Sequence, residues 1–365
     1  MHALQPDASY QKPPAAAAGL PRTRPSDYAT WTRRWLLGVC LSGLAVVSCN
    51  VLLDPYQVFN VLALRDSYTP NEIYNKLQHL LAHPQRHDAF FVGSSRMGMF
   101  EPQAAEAIHP QRSYYNLSVL GVEPREQLAM LKALRAGGVT IREVVIGIDL
   151  YPFLTRRTPG DPAHRPHPAM SEQSRLEFLS SYLFLASYGS ALRRLVHTLK
   201  PEPTMAFDFQ GSGRYHLLDY DAQRAVDPSA YLAKHLPPIT DRTPPAGPPR
   251  WVESAFDDLD ALRRWCLDND VQAYWFVHPL HPSVLINVPD GALEVFRERI
   301  AALMGPLPDF SQDSRFLASR DYYDAKHYVP ALAQQLLVEI MGAPATPPTS
   351  GAAAMPIPHT TGDPL

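Results

Sequence analysis

From Trp35 to Leu53 the chain carries no charged side chain. A helix of that length, at ~1.5 Å per residue, covers the ~30 Å hydrocarbon core of a bilayer. Arg22, Arg24, Arg33 and Arg34 precede the run and Asp54 follows it. The positive-inside rule then sets the N-terminus in the cytoplasm and everything after Asp54 on the outer side. Other readings of this segment remain. A cleaved secretory signal would need a shorter leading region, and Val47-Ser48-Cys49 lacks an Ala-x-Ala site. Val46-Val47-Ser48-Cys49 resembles a lipoprotein box that would lipidate Cys49, and Arg33-Arg34 invites a twin-arginine reading that the pair alone does not establish. A buried core helix would not be expected to follow a polar, arginine-bearing tail. We expect an uncleaved single-pass anchor over residues 33–53.

What remains is long enough for one large domain or two modest ones, and a hydrophobic content of 45% over the whole chain suffices for a full core. With a net charge of −3 no nucleic-acid partner is expected. Cys40, Cys49 and Cys266 form neither a disulfide framework nor a zinc pattern. Prolines gather at both ends and in Pro237–Pro249. The expected division is a disordered tail over 1–32, the anchor over 33–53, one α/β domain over 54–342 with an insertion at about 150–250, and a disordered tail over 343–365.

Within the domain, residues 71–81 read as an amphipathic helix with Ile73, Leu77, Leu80 and Leu81 on one face. The run 88–92 reads as a buried strand stopped by Gly93-Ser94-Ser95-Arg96. Residues 113–118 form a second strand, and 143–149 a strongly apolar third. Between them Pro124 starts a helix that Gly137-Gly138 ends. Strand, helix and strand with short connections imply a parallel sheet. The insertion is read as helical over Ser171–Leu199, with Leu176, Leu179, Leu183, Leu192, Leu195 and Leu199 as its apolar positions, and as a lid or substrate-shaping element. Alternation resumes with a helix at 252–268, a strand at 271–277, and helices near 290–304 and 329–341.

A serine at the carboxyl end of a parallel strand faces the crevice where open α/β sheets hold ligands. Equally, Ser94-Ser95 could cap the next helix. Late in the chain, Asp324-Ala325-Lys326-His327 puts a carboxylate and an imidazole three residues apart. Such a carboxylate can fix the tautomer that leaves the other ring nitrogen free to take a proton from serine. Taken alone, Asp-x-x-His also suits a helix start with an incidental histidine. His278 and His281 flank a Pro-Leu turn with no third ligand nearby, so no metal site is expected. Tyr322, Tyr323 and Tyr328 suit either sugar stacking or packing around a loop.

Taken together, these motifs resemble those of the SGNH/GDSL hydrolases. The first block is Gly93-Ser94-Ser95 and the last Asp324-x-x-His327. The layout is similar to membrane-anchored bacterial members with a Gly-Ser-Ser-Arg signature, including the teichoic-acid D-alanylation acyltransferases. The shared features are Asp54-Pro55-Tyr56 after the span, Asn116-Leu117-Ser118 with Gly121, Gly147-Ile148-Asp149, and Pro279-Leu280-His281. The resemblance covers about residues 50–342. It implies a three-layer α/β/α domain and an extracytoplasmic site at a bacterial inner membrane. Ser95 would be the nucleophile, His327 the base and Asp324 its orienter, with backbone N–H groups of Ser95 and Gly121 in the oxyanion hole. His281 would line the cleft. The family's third oxyanion donor is an asparagine, whereas this strand ends in Asp149. Asn116 could replace it, and Arg96 could neutralise Asp149. The implied activity is that of a serine O-acyltransferase or esterase without a cofactor. Its substrates would be cell-envelope or exopolysaccharide glycans, and a membrane protein could serve as acyl donor. The alternative is a non-catalytic scaffold or glycan-binding protein that kept the fold.

Overall fold

The computed structural model describes residues 25–158, 160–200, 204–236 and 247–342. Most of the expected tail 1–32, the tail 343–365 and most of Pro237–Pro249 lie outside the described residues. Helix α1 (Pro25–Ser48) begins ahead of the expected start at 33 and continues as a π-helical turn over Cys49–Leu53. Its apolar stretch, Tyr28–Leu53, is long and apolar enough to cross a membrane, and only 6% of it is buried against the rest of the chain. A core helix would be mostly buried. The Asp54 carboxylate ends this element by accepting from the N–H groups of Val58, Phe59 and Asn60 at 2.9, 3.0 and 2.8 Å. This gives the Asp-Pro-Tyr motif a structural role, since it turns the chain out of the helix.

The domain beyond is α/β, built on a four-stranded parallel sheet. In chain order come α2 (Glu72–Ala82), β1 (Ala89–Val92), α3 (Pro102–Ile108), β2 (Tyr114–Asn116), α4 (Pro124–Ala136) and β3 (Glu143–Ile148). Next are α5 (Arg175–Leu183), α6 (Tyr188–Leu199), an antiparallel hairpin of β4 (Met205–Phe207) and β5 (Tyr215–Leu217), α7 (Leu218–Val226) and α8 (Pro228–His235). The chain closes with α9 (Glu253–Asp268), β6 (Gln272–Val277), α10 (Ala292–Met304) and α11 (Pro330–Gly342). Helix α4 runs where Pro124 and the paired glycines set it, and Glu123 with Glu126 completes a capping box.

The strands are largely apolar because both faces of the sheet are covered, with Asn116, Glu143 and Gln272 at strand ends. Phe90, Val92, Val144, Ile146 and Trp275 pack under α2, α4, α9 and α10. The alternate residues Ala89, Phe91, Val145, Tyr274 and Phe276 pack under α3 and α11. The strand order is β2-β1-β3-β6. β1 therefore pairs with β2 on one side and β3 on the other, and the connections leave in opposite directions. That switch point lies at the carboxyl ends of β1 and β3, the edge where open α/β sheets hold ligands. Ser95 follows β1 and Asp149 follows β3, so both flank it.

The helical reading of 171–199 needs correction. Two helices stand there, parted at Phe184–Ser187. Leu176, Leu192 and Leu199 point outward instead of into a core. The rest of the insertion braces the sheet's carboxyl edge. Ser212 C=O accepts the Asn116 N–H at 2.8 Å, and Arg157 N–H donates to Glu123 Oε1 at 2.9 Å.

Candidate active site

Gly93 ends β1 in a conformation with φ +152°, and a Cβ there would collide with Met97. The chain then enters a 3-10 turn over Ser95–Met99. Ser94 thus caps no helix through its side chain, so the capping reading does not hold. Tyr215 of β5 donates its O–H to the Ser95 carbonyl at 2.6 Å. Gly98 is where that ring lies, since a Cβ would overlap it.

The Ser95 Oγ lies 2.9 Å from His327 Nε2. His327 Nδ1 lies 3.0 Å from each Asp324 carboxylate oxygen. Asp324 also accepts the N–H of Lys326 at 2.7 Å and of His327 at 2.9 Å. Burial raises the Asp324 carboxyl, but the bonds from the His327 ring and these N–H groups outweigh it and hold the group below its ordinary value. An ionised Asp324 fixes the proton on Nδ1, which leaves Nε2 to accept from the serine. Residues 232 apart in sequence are joined because β1 and the 321–329 loop end at the same edge. All three side chains are partly exposed.

Asp149 is buried beside this triad. Its Oδ1 pairs with Arg96 Nη1 at 2.9 Å, and the Ser94 hydroxyl donates to Oδ2. Arg96 Nε also donates to the Lys326 carbonyl at 2.8 Å. One guanidinium therefore neutralises Asp149 and ties the Ser95 turn to the His327 loop. Burial raises the Asp149 carboxyl; His278, Arg96 and Ser94 together outweigh it and keep it below its ordinary value. His278 is fully buried, and burial pushes it down to about 4, so its ring is neutral at neutral pH. Its Nε2 faces Asp149 Oδ2 at 3.9 Å, and its Nδ1 meets the Tyr328 hydroxyl at 2.9 Å. The nearby carboxylate favours the tautomer protonated on Nε2, with Tyr328 as donor to Nδ1. A Cβ on Gly147 would occupy the place of the His278 ring.

Several expected pocket residues lie elsewhere or do other work. Asn116 uses both amide hydrogens on the carbonyls of Met97 and Phe100, at 2.7 and 3.0 Å, and its Oδ1 accepts from Ser118. It therefore holds the Ser95–Met99 turn and has no amide hydrogen left to donate elsewhere. His281 caps a 3-10 turn, with its ring nitrogens on Ser283 and, at 3.0 Å, Ser319. It makes no hydrogen bond to the triad; of the two histidines, His278 is the one beside the site. The rings of Tyr322, Tyr323 and Tyr328 are buried, their hydroxyls donating to Phe316 C=O, Asp221 and His278, which favours packing over sugar stacking. Gly121 is exposed at φ +66°, with open space where a side chain would be.

Sequence reasoning missed three contributors. The first is the His278–Tyr328 pair. The second is Tyr215, whose signal was only a lone aromatic in a polar stretch. The third is a buried pair on α2. Glu72 accepts the Leu120 N–H at 3.0 Å, while Lys76 donates to the Ser118 carbonyl and lies 3.7 Å from Glu72. From the insertion, His164 Nε2 lies 2.6 Å from the Leu120 carbonyl. The loop bearing Gly121 is thus clamped from two sides. Compared with known proteins, the chain matches no family model, and no curated protein matches it.

Proposed function

We propose that this chain is a membrane-anchored serine acyl-ester enzyme of the SGNH type, an O-acyltransferase or esterase. The observation that carries the reading is the unbroken Ser95–His327–Asp324 hydrogen-bond chain at the switch point of a parallel sheet. His327 Nε2 takes the Ser95 proton as Oγ attacks an ester or thioester carbonyl. The imidazolium, held by Asp324, then gives that proton to the leaving alkoxide or thiolate, and an acyl-serine remains. Water or a sugar hydroxyl next gives its proton to His327 and attacks the acyl carbon, and Ser95 recovers its proton as it departs. The N–H groups of Ser95 and Gly121 are the oxyanion donors in this reading. Asp149 does not oppose the developing oxyanion, because Arg96 cancels its charge. In this reading α1 anchors the domain at a bacterial inner membrane, with the domain on the extracytoplasmic side. Cell-envelope or exopolysaccharide glycans and a membrane-borne acyl donor suit such a location.

One observation favours a second reading. The third strand ends in a carboxylate where the resemblance implies an oxyanion-donating asparagine, and Asn116 does not replace it. A non-catalytic scaffold would tolerate that loss. A chromogenic acetate ester separates the two. The full chain in detergent should release nitrophenolate in a stoichiometric burst, and His327→Ala should abolish the burst. A wild-type chain without burst or turnover would favour the scaffold.

A further inference from the structure

Helix α6 is built with its polar side inward. Arg194 and His197 are buried together with Ala191. Tyr188, Leu192, Val196 and Leu199 are 52%, 60%, 49% and 71% exposed. Spacings of four, four and three put these residues on one stripe of the helix. Burying Arg194 has a specific use, because the guanidinium fastens α6 to the end of the anchor. Its Nη1 donates to the Leu53 carbonyl at 3.0 Å and its Nε to the Arg65 carbonyl at 2.8 Å. The α5–α6 connection is tied to the same place. Asn50, buried in the last turn of the apolar segment, donates to the carbonyls of Leu183 and Leu185, both at 3.0 Å. The Ser187 hydroxyl donates back to Asn50. Phe184, inside that connection, is 71% exposed.

We infer that the stripe Tyr188–Leu192–Val196–Leu199, with Phe184, lies in the outer interface of the bilayer that α1 crosses. The domain is then docked on the lipid surface instead of swinging on a linker. The inference rests on the anchor reading above. Lipid is the occupant because the stripe adjoins the end of α1, an apolar helix whose surface is almost wholly uncovered by the described residues. The clamps at Asn50 and Arg194 fix α6 where that helix ends. Exposed Arg193 and Lys200 flank the apolar positions, where lipid phosphates would meet them. An amphipathic helix lying in this plane buries its apolar face at the headgroup boundary. The Ser95–His327 site would thereby be presented at a constant height above the membrane.

Bimane labels on single cysteines, with the full chain in nanodiscs of phosphatidylcholine and phosphatidylglycerol, test this. Native Cys40 in a Cys49→Ala background reports the anchor. Leu192→Cys and Val196→Cys, each with Cys40→Ala and Cys49→Ala, report the stripe. Val338→Cys, with the same two alanine changes, is an exposed position on α11 and reports a surface outside the stripe. Buried Cys266 stays in place. The labels at 192 and 196 should lose most of their emission when the lipid tails are brominated and resist aqueous iodide, whereas the label at 338 should do the reverse. Quenching at 40 without quenching at 192 and 196 overturns the docking and leaves the anchor standing. No quenching at 40 overturns both. Protection of 192 from bromolipid and iodide alike means a protein contact covers the stripe, and overturns the lipid assignment.

Discussion

Nη1 of Arg96 stands 2.9 Å from Oδ1 of Asp149, and both side chains are buried. The same guanidinium reaches the Lys326 carbonyl beside His327. Removing it strands a buried carboxylate next to the reacting serine, and stranding one partner of a buried pair costs roughly 3–5 kcal/mol. Arg96→Ala should therefore lower the urea midpoint at unchanged slope and also slow acylation. An Arg96→Ala variant as stable and as reactive as the parent would remove the pair from the account.

Ser94 and Ser95 are adjacent hydroxyls with separate tasks. Ser94 donates to Asp149, and Ser95 meets His327. Ser94→Ala should cost stability, roughly 1–3 kcal/mol for a buried charged acceptor left one donor short. It should leave acylation at Ser95 in place. Loss of acylation in a folded Ser94→Ala chain would exchange the roles.

Glu72 and Lys76 clamp the Gly121 loop from α2, where both are wholly buried. Burial pushes the Lys76 ammonium down to about 8 and raises the Glu72 carboxyl. Lys76→Met leaves Glu72 uncompensated and frees the Ser118 carbonyl, so it should destabilise by roughly 3–5 kcal/mol. The double change Glu72→Gln with Lys76→Met should cost less than the two single changes added together, because the residues are coupled. Strict additivity in urea unfolding would show that the pair does not act as a unit.

His278 is fully buried between Tyr328 and Asp149, with Arg96 close by. Its folded value of about 4 lies below the ordinary 6.5, so between those pH values the unfolded chain binds the proton and the folded chain does not. Stability should therefore fall as pH drops from 6.5 toward 4 and stop responding to this group below that. Buried His87 and His167, each also pushed down to about 4, add to the same slope. The Asp149 contribution, held below the ordinary 3.8, is complete above that value and is lost only as pH falls further. His278→Gln should flatten the 6.5–4 slope by up to about one proton. An unchanged slope would place the titration elsewhere.

The parallel sheet was legible because each strand is a short apolar run closed by glycine or a polar turn, as in 88–93 and 143–149. Ser95, Asp324 and His327 were legible as motifs, since the geometry that joins them follows from strand ends sharing one edge. The pairing of Arg96 with Asp149 could be anticipated from an unpaired charge of each sign at neighbouring strand ends. Helix α6 was legible as a helix from the spacing of its leucines, but periodicity shows that a face is apolar without showing what covers it. Asn116, His278 and His281 were misjudged because a side chain's partners depend on loop geometry that local sequence does not encode.

The central claim is that Ser95 is a nucleophile activated by His327. The full chain in detergent should be treated with a fluorophosphonate probe, and the adduct located by peptide mass analysis. The account predicts one adduct, on Ser95, absent in Ser95→Ala and slowed by roughly 10²–10⁴ in His327→Ala. Folded wild-type protein that takes no label, or label that persists in Ser95→Ala, would contradict it.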